Sequence, residues 1–166
     1  MQYLKAFVLD VFTNVIEQDG VTKAWCEDTP GNILNIAFLQ KLFPNGKYIH
    51  VMRHPVGVVH SMEQMVWAPK NLEQRCDLLS ELYKRLIDIH EKYKFHNNYF
   101  FVKLEDLAGE EKKNELSKFL ELDETKYSGS ISIDTNKMNY YLDKMEKSDM
   151  EYASDRLKFA IDFFDY

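Results

Sequence analysis

A short segment around Arg53 combines residue types that bind an anion. Arg53 ends a strand-like apolar run, and Pro55 favours the first turn of a helix. A guanidinium beside a helix N-terminus favours negative charge. His54, Gly57 and Ser61 then fall at i, i+3 and i+7, on one helix face. We expect an anion site at Arg53 and Ser61, with space left by Gly57 and with His54 nearby; pairing of Arg53 with a carboxylate is the alternative.

Two acids are weak candidates for a catalytic base. Glu27 and Asp28 follow a short apolar segment and precede a Thr-Pro-Gly-Asn break, so they end a predicted strand. Either carboxylate could accept a proton if burial raised its pKa. The alternative is a solvated or salt-bridged pair, and the sequence leaves the catalytic residue unknown.

Histidines and cysteines indicate no metal centre. His50, His54 and His60 fall on a predicted strand, a junction and a helix, without an i, i+4 helical pair or nearby thiolates. Cys26 and Cys76 are too few for a disulfide framework or a four-ligand zinc site. The sequence therefore predicts no metal site and two structural thiols.

The elements that position these residues alternate between strand and helix, which predicts an α/β fold with a parallel sheet. The first helix carries an apolar stripe, Leu4 to Val15 at helical spacing, that we expect to pack in a core. We predict strands over residues 21–27, 47–53 and 99–102. Helices are predicted over residues 33–42, from Pro55, from the Asn71 and Gln74 capping box, around residues 116–120, and from a Ser148 and Glu151 capping box; residues 128–134 are predicted to be irregular.

Length and charge limit the function further. The chain has 166 residues, enough for one domain with a core, and 21 Lys and Arg against 27 Asp and Glu give a net charge of −6. A nucleic-acid partner is not expected, because that needs a basic face. No apolar run is long enough to span a membrane, and no signal peptide is seen, so we expect a cytoplasmic protein.

Four segments together resemble the sulfotransferase family. Residues 25–32 (WCEDTPGN) resemble a W-x-E-K-T-P segment, and residues 42–55 (LFPNGKYIHVMRHP) resemble F-P-x-A-K-F-I-x-x-x-R-D-P, with Ser61 eight residues after the arginine. Residues 101–107 (FVKLEDL) resemble V-x-Y-E-D-L, and the closing FFDY resembles (L/F)-G-Y.

The resemblance implies a P-loop-NTPase-like three-layer fold, with a short parallel sheet flanked by helices. It implies the donor 3′-phosphoadenosine-5′-phosphosulfate (PAPS) and its product adenosine 3′,5′-bisphosphate (PAP), with the 3′-phosphate held by the arginine and serine that match Arg53 and Ser61. A sulfuryl group would pass to an acceptor hydroxyl or amine. Whether that acceptor is a small molecule, a glycan or a peptide is left open.

The chain departs from the family pattern in ways that bear on activity. A Gly-rich loop of the kind G-x-x-R-S-G-T-T, which holds the 5′-phosphosulfate, is not found in the sequence. Asp28 replaces a lysine, His54 an aspartate and Leu104 a tyrosine. We therefore expect residues 1–166 to form one N-terminally truncated, incomplete domain, weak or inactive alone. The alternatives are an inactive nucleotide-binding or structural remnant, an oligomer, or a second chain that supplies the loop.

Overall fold

The computed structural model describes residues 2–19, 25–122 and 134–166, without the side chains of residues 12–19 and 135–137. It divides into two compact units, Met1–Tyr48 and Ile49–Tyr166, which we describe separately. The prediction of one domain stays a prediction. None of the helices in the described ranges is both long and apolar enough to cross a membrane.

The N-terminal unit holds two α-helices and a 3₁₀ turn. Helix α1 spans Gln2–Asp19, the 3₁₀ turn spans Pro30–Asn35, and α2 spans Ile36–Leu42. The first helix is confirmed, but the expectation that its apolar stripe packs in a core is wrong for Leu4, Phe7 and Val11, which are 44%, 66% and 47% exposed. Periodicity identifies the apolar face of a helix and leaves open what covers it.

The strand predicted over residues 21–27 is not seen where the structure can test it. Residues 21–24 lie outside the described residues, and residues 25–29 are irregular. The second predicted helix is confirmed, although Pro30 first begins a 3₁₀ turn and regular α-helix follows only from Ile36. A proline at the start of the turn sets its backbone angle without costing a hydrogen bond.

Two neighbouring parallel strands form the sheet of the described chain. Strand β1 spans Tyr48–Met52 and β2 spans Tyr99–Lys103, close to the predicted bounds. Beyond the carboxyl ends of the strands, the Leu104 N–H donates to the Met52 carbonyl at 2.6 Å. The predicted α/β fold class, with a short parallel sheet flanked by helices, is confirmed. The sheet brings the chain after β1 next to the chain after β2.

Helices fill the rest of the C-terminal unit. They are α3 (Pro55–Met62), α4 (Leu72–Tyr93), α5 (Glu110–Leu120), α6 (Thr135–Lys144), α7 (Lys147–Arg156) and α8 (Lys158–Phe163), with a 3₁₀ turn at Asp106–Ala108. The Asn71 cap of α4 is confirmed, since its side chain accepts from the Gln74 N–H at 3.2 Å. Helix α6 was not predicted from the sequence. Its position decides what the anion site contacts.

The C-terminal capping box is not observed. Helix α7 begins with Glu146 as its N-cap and no side-chain cap hydrogen bond, so the predicted start at Ser148 is wrong. The single predicted last helix is two helices joined at Leu157. Ala153, Leu157 and Ala160 are nonetheless completely buried, as their apolar spacing predicts. Most of the predicted irregular stretch at residues 128–134 lies outside the described residues.

Candidate anion site at the ends of the strands

The chain turns from strand to helix at the residue pair Arg53 and His54. His54 is the N-cap of α3, and its Nδ1 accepts from the Val56 N–H at 3.3 Å. Pro55 occupies the first helical position, as predicted. A helix N-terminus needs an acceptor for its free amides. The histidine ring supplies that acceptor where the sulfotransferase pattern has an aspartate.

Arg53 follows β1 and is half-buried. Its Nη2 donates to the Met138 carbonyl of α6 at 2.6 Å. The alternative of a carboxylate partner for this arginine stays a prediction. Because a guanidinium carries five N–H donors, one carbonyl satisfies only part of its capacity.

Gly57 allows α3 and α6 to approach closely. A Cβ placed on Gly57 would lie 3.1 Å from Cδ1 of Tyr141 and 3.2 Å from Nε of Arg53. The Tyr141 ring also stacks on His54, with centroids 5.4 Å apart and planes at 22°. The space that the sequence assigned to a ligand beside Gly57 is filled here by an aromatic ring and by the arginine itself.

Ser61 lies one turn further along α3 and is half-buried. Its hydroxyl donates to the Val58 carbonyl of the same helix at 2.9 Å. A serine hydroxyl can turn about its Cβ–Oγ bond and exchange this hydrogen bond for one to another acceptor. The structure thus brings Arg53 and Gly57 into direct proximity and gives Ser61 a local hydrogen bond.

Glu105 connects the ends of the two strands. It follows β2, and its Oε1 accepts from the His54 N–H at 2.9 Å. Its Oε2 is also buried. Burial, and secondarily the Glu105 carboxylate, raises the pKa of both Tyr83 and Tyr166. From the end of β2, Glu105 thereby stabilises the start of α3.

The electrostatics keep the His54 imidazole neutral. Burial is the largest cause that lowers the pKa of His54, and Arg53 lowers it further, while Glu105 acts in the opposite direction. Because Nδ1 accepts a backbone N–H, the neutral ring carries its proton on Nε2. His54 also lines a surface cavity of about 520 Å³, whose other walls come from α7 and α8.

Glu27 and Asp28 lie in the N-terminal unit and are exposed. Both Glu27 carboxylate oxygens accept from the Thr29 N–H at 3.2 Å. The Thr29 hydroxyl and the Asn32 side-chain amide also donate to Glu27. These contacts stabilise the turn that starts the 3₁₀ helix. That Glu27 or Asp28 acts as a catalytic base stays a prediction.

Sequence reasoning missed the residues that surround Arg53. Met138 and Tyr141 belong to α6, which was not predicted, and Glu105 was noted only as part of a segment that resembles V-x-Y-E-D-L. A signal for α6 was present, because Met138, Tyr141, Leu142 and Met145 are spaced i, i+3, i+4 and i+7. No signal along the chain indicates which strand end a helix covers, since that contact joins residues 85 positions apart.

Comparison with known proteins now decides the family. A family model described as "Sulfotransferase family" matches residues 1–126, about three quarters of the chain. The chain belongs to the sulfotransferase family. A search of the curated proteins finds no match.

A solved sulfotransferase structure supports the sulfotransferase fold. The sulfotransferase domain from the curacin biosynthetic pathway is similar to this chain with a TM-score of 0.55 and 14% sequence identity. The match covers 89% of this chain and 66% of that domain, so this sulfotransferase chain spans about two thirds of its length. The neighbour's fold is P-loop-like, as the sequence resemblance implied.

Proposed function

We propose that this chain is a sulfotransferase-type domain that binds the 3′-phosphate of PAPS or PAP at Arg53 and Ser61. The observation that carries the proposal is the strand-to-helix junction, which puts Arg53 beside the N-terminus of α3 at the carboxyl end of β1. In open α/β sheets, ligands bind beyond the carboxyl ends of the strands. Membership of the sulfotransferase family makes a phosphoadenosine donor the preferred ligand.

The residues fit a phosphate by their chemistry. Arg53 offers a charged, forked donor, and Ser61 offers a hydroxyl on the same helix face as Gly57. The N-terminus of α3 favours negative charge, and the neutral His54 ring carries an N–H donor on Nε2. PAPS, when bound, supplies the activated sulfuryl group. In a complete enzyme these residues would orient the donor while the group passes to an acceptor hydroxyl or amine.

Nucleotide binding tests the proposal. We expect PAP to bind more tightly than adenosine 5′-monophosphate, which lacks the 3′-phosphate, in titration calorimetry. The Arg53→Ala variant removes charge-assisted hydrogen bonds of roughly 1.5–3 kcal/mol, a loss of about 10- to 150-fold in affinity. Ser61→Ala should cost less, about 2- to 10-fold, because a neutral hydrogen bond contributes less.

Arg85→Ala is the matched control, because Arg85 is an exposed arginine of α4. It should bind PAP like the wild type. Equal affinity for PAP and adenosine 5′-monophosphate, or an Arg53→Ala variant that binds PAP normally, would exclude the proposed phosphate site.

A second candidate function is a catalytically inactive nucleotide-binding or structural domain. It is favoured by the hydrogen bonds of Arg53 Nη2 and of the Ser61 hydroxyl, which go to the Met138 and Val58 carbonyls of the chain itself. Formation of PAP from PAPS in the presence of hydroxyl and amine acceptors separates the two. Turnover that is lost in Arg53→Ala supports the enzyme, and PAP binding without any turnover supports the inactive domain.

A further inference from the structure

Helix α6 provides Arg53 with an acceptor from the protein itself. The Met138 carbonyl lies 2.6 Å from Nη2 of Arg53. A carbonyl oxygen carries partial negative charge and occupies a donor position that an anionic ligand would also use. A phosphate oxygen that binds through the same N–H must displace the Met138 carbonyl.

Tyr141 adds a steric contact on the same surface. Its ring lies against the Cα of Gly57 and stacks on His54, and the residue is only 6% exposed. Met138 is buried to a similar degree. The two residues are spaced i, i+3, so one face of α6 covers the surface formed by Arg53, His54 and Gly57.

We propose that α6 is an autoinhibitory helix that competes with the nucleotide 3′-phosphate for Arg53. This inference rests on the proposed function of the Arg53 site. In the structure described here the helix is docked, and the nucleotide binds fully only after the Met138 carbonyl and the Tyr141 ring leave the surface of α3. The measured affinity is then the intrinsic affinity multiplied by the fraction of molecules in which α6 is undocked.

The arrangement of the neighbouring helices allows α6 to leave without unfolding the unit. Helix α6 packs principally against α3, and Met145 and Glu146 separate it from α7. Helix α7, in contrast, packs on α4 and carries the completely buried Ala153. A ten-residue helix without a packing surface is marginal in water, so undocked α6 should lose backbone protection.

Variants of Tyr141 test the competition directly. Tyr141→Ala removes the ring that packs on Gly57 and His54, and we expect PAP to bind about tenfold more tightly to it than to the wild type. Tyr141→Leu keeps an apolar side chain and should give a smaller increase in the same direction. Leu142→Ala, at a residue of the same helix that is 53% exposed, should leave the affinity unchanged.

Hydrogen exchange on the wild type gives a readout that needs no variant. Saturation with PAP should speed exchange of the amides of residues 138–144 and leave those of α7 unchanged. Suppose that PAP binds the wild type and Tyr141→Ala with equal affinity and does not change the hydrogen exchange of α6. That result would overturn the autoinhibition and leave the Arg53 site intact. Failure of PAP to bind the wild type and every Tyr141 variant would overturn the Arg53 site itself, and the autoinhibition with it.

Discussion

Two glutamates at the ends of predicted strands have different roles in this protein. Glu27 is exposed, and every one of its described hydrogen bonds is to Thr29 or Asn32, no more than five residues away. Glu105 accepts from the His54 N–H, 51 residues away, and its second oxygen is buried. The first carboxylate stabilises a turn, whereas the second joins the two strand ends.

The difference shows that residue type and local motif do not define a site. Both glutamates lie in segments that resemble sulfotransferase motifs, W-x-E and E-D-L. The environment of each carboxylate depends on what the rest of the chain packs against it. Buried polar groups depend on their partners far more than exposed ones do. Perturbations should therefore have large effects at the strand ends and small effects in the segment around Glu27.

Acid should produce the largest effect, through the buried His50 side chain of strand β1. His50 is buried, its Nδ1 lies 2.6 Å from the Tyr99 hydroxyl, and burial, with His90 as a smaller cause, lowers its pKa from 6.5 to about 4. Between pH 6.5 and 4 the unfolded chain binds a proton that the folded chain does not. The free energy of unfolding should fall by roughly 3 kcal/mol over this range, with no further loss from His50 below it.

Urea denaturation at a series of pH values measures this effect. His50→Phe lacks the titrating group, so the dependence between pH 6.5 and 4 should become shallower even if the variant is less stable throughout. An unchanged slope in His50→Phe would show that other groups cause the acid sensitivity. All five histidines lie in Ile49–Tyr166, so the N-terminal unit should contribute no histidine titration.

Removal of Glu105 should be the next largest effect. Glu105→Ala leaves the His54 N–H without its acceptor, and we expect a loss of roughly 2 kcal/mol in the free energy of unfolding, measured by chemical denaturation. Glu105→Gln keeps an acceptor oxygen and should retain most of the stability. Glu27→Ala should cost less than about 1 kcal/mol, because its contacts are exposed. Equal losses at Glu27 and Glu105 would contradict the distinction drawn between them.

Two glycines give the smallest predicted difference. Gly57→Ala would place a methyl group within 3.2 Å of the Tyr141 ring and of Arg53, so crowding should outweigh the better helix propensity of alanine and cost about 1 kcal/mol. At Gly31 no atom lies within 4 Å of an added Cβ. Gly31→Ala should therefore be neutral or stabilising by a few tenths of a kcal/mol. Thermal melts measure both effects. A melting temperature that falls more in Gly31→Ala than in Gly57→Ala would contradict the close packing of α3 against α6.

Much of the local structure was predictable, because it depends on neighbours along the chain. Pro55 and the Asn71 cap mark the starts of α3 and α4, and the two strands are short runs bounded by turn residues. The predictions failed where the burial of a helix face or the start of a helix depended on tertiary packing. Leu4, Phe7 and Val11 of the α1 stripe were expected to be buried and are exposed, and the Ser148 cap was displaced by Glu146.

The candidate site divides in the same way. Arg53, His54, Gly57 and Ser61 were identified from residue type and spacing, which sequence fully specifies. Sequence reasoning did not identify their partners, because Met138 and Tyr141 reach the site from α6 and Glu105 reaches it from the end of β2.

The sequence by itself determined the family, the alternation of strand and helix, and an arginine at the end of a strand beside a helix N-terminus. These features follow from side-chain chemistry and from contacts within a few residues. The tertiary structure decided that Glu105 holds the start of α3 and that α6 contacts Arg53. These contacts close loops of 51 and 85 residues. The first forms because β1 and β2 pair in the sheet, and the second because α6 buries an apolar face against α3.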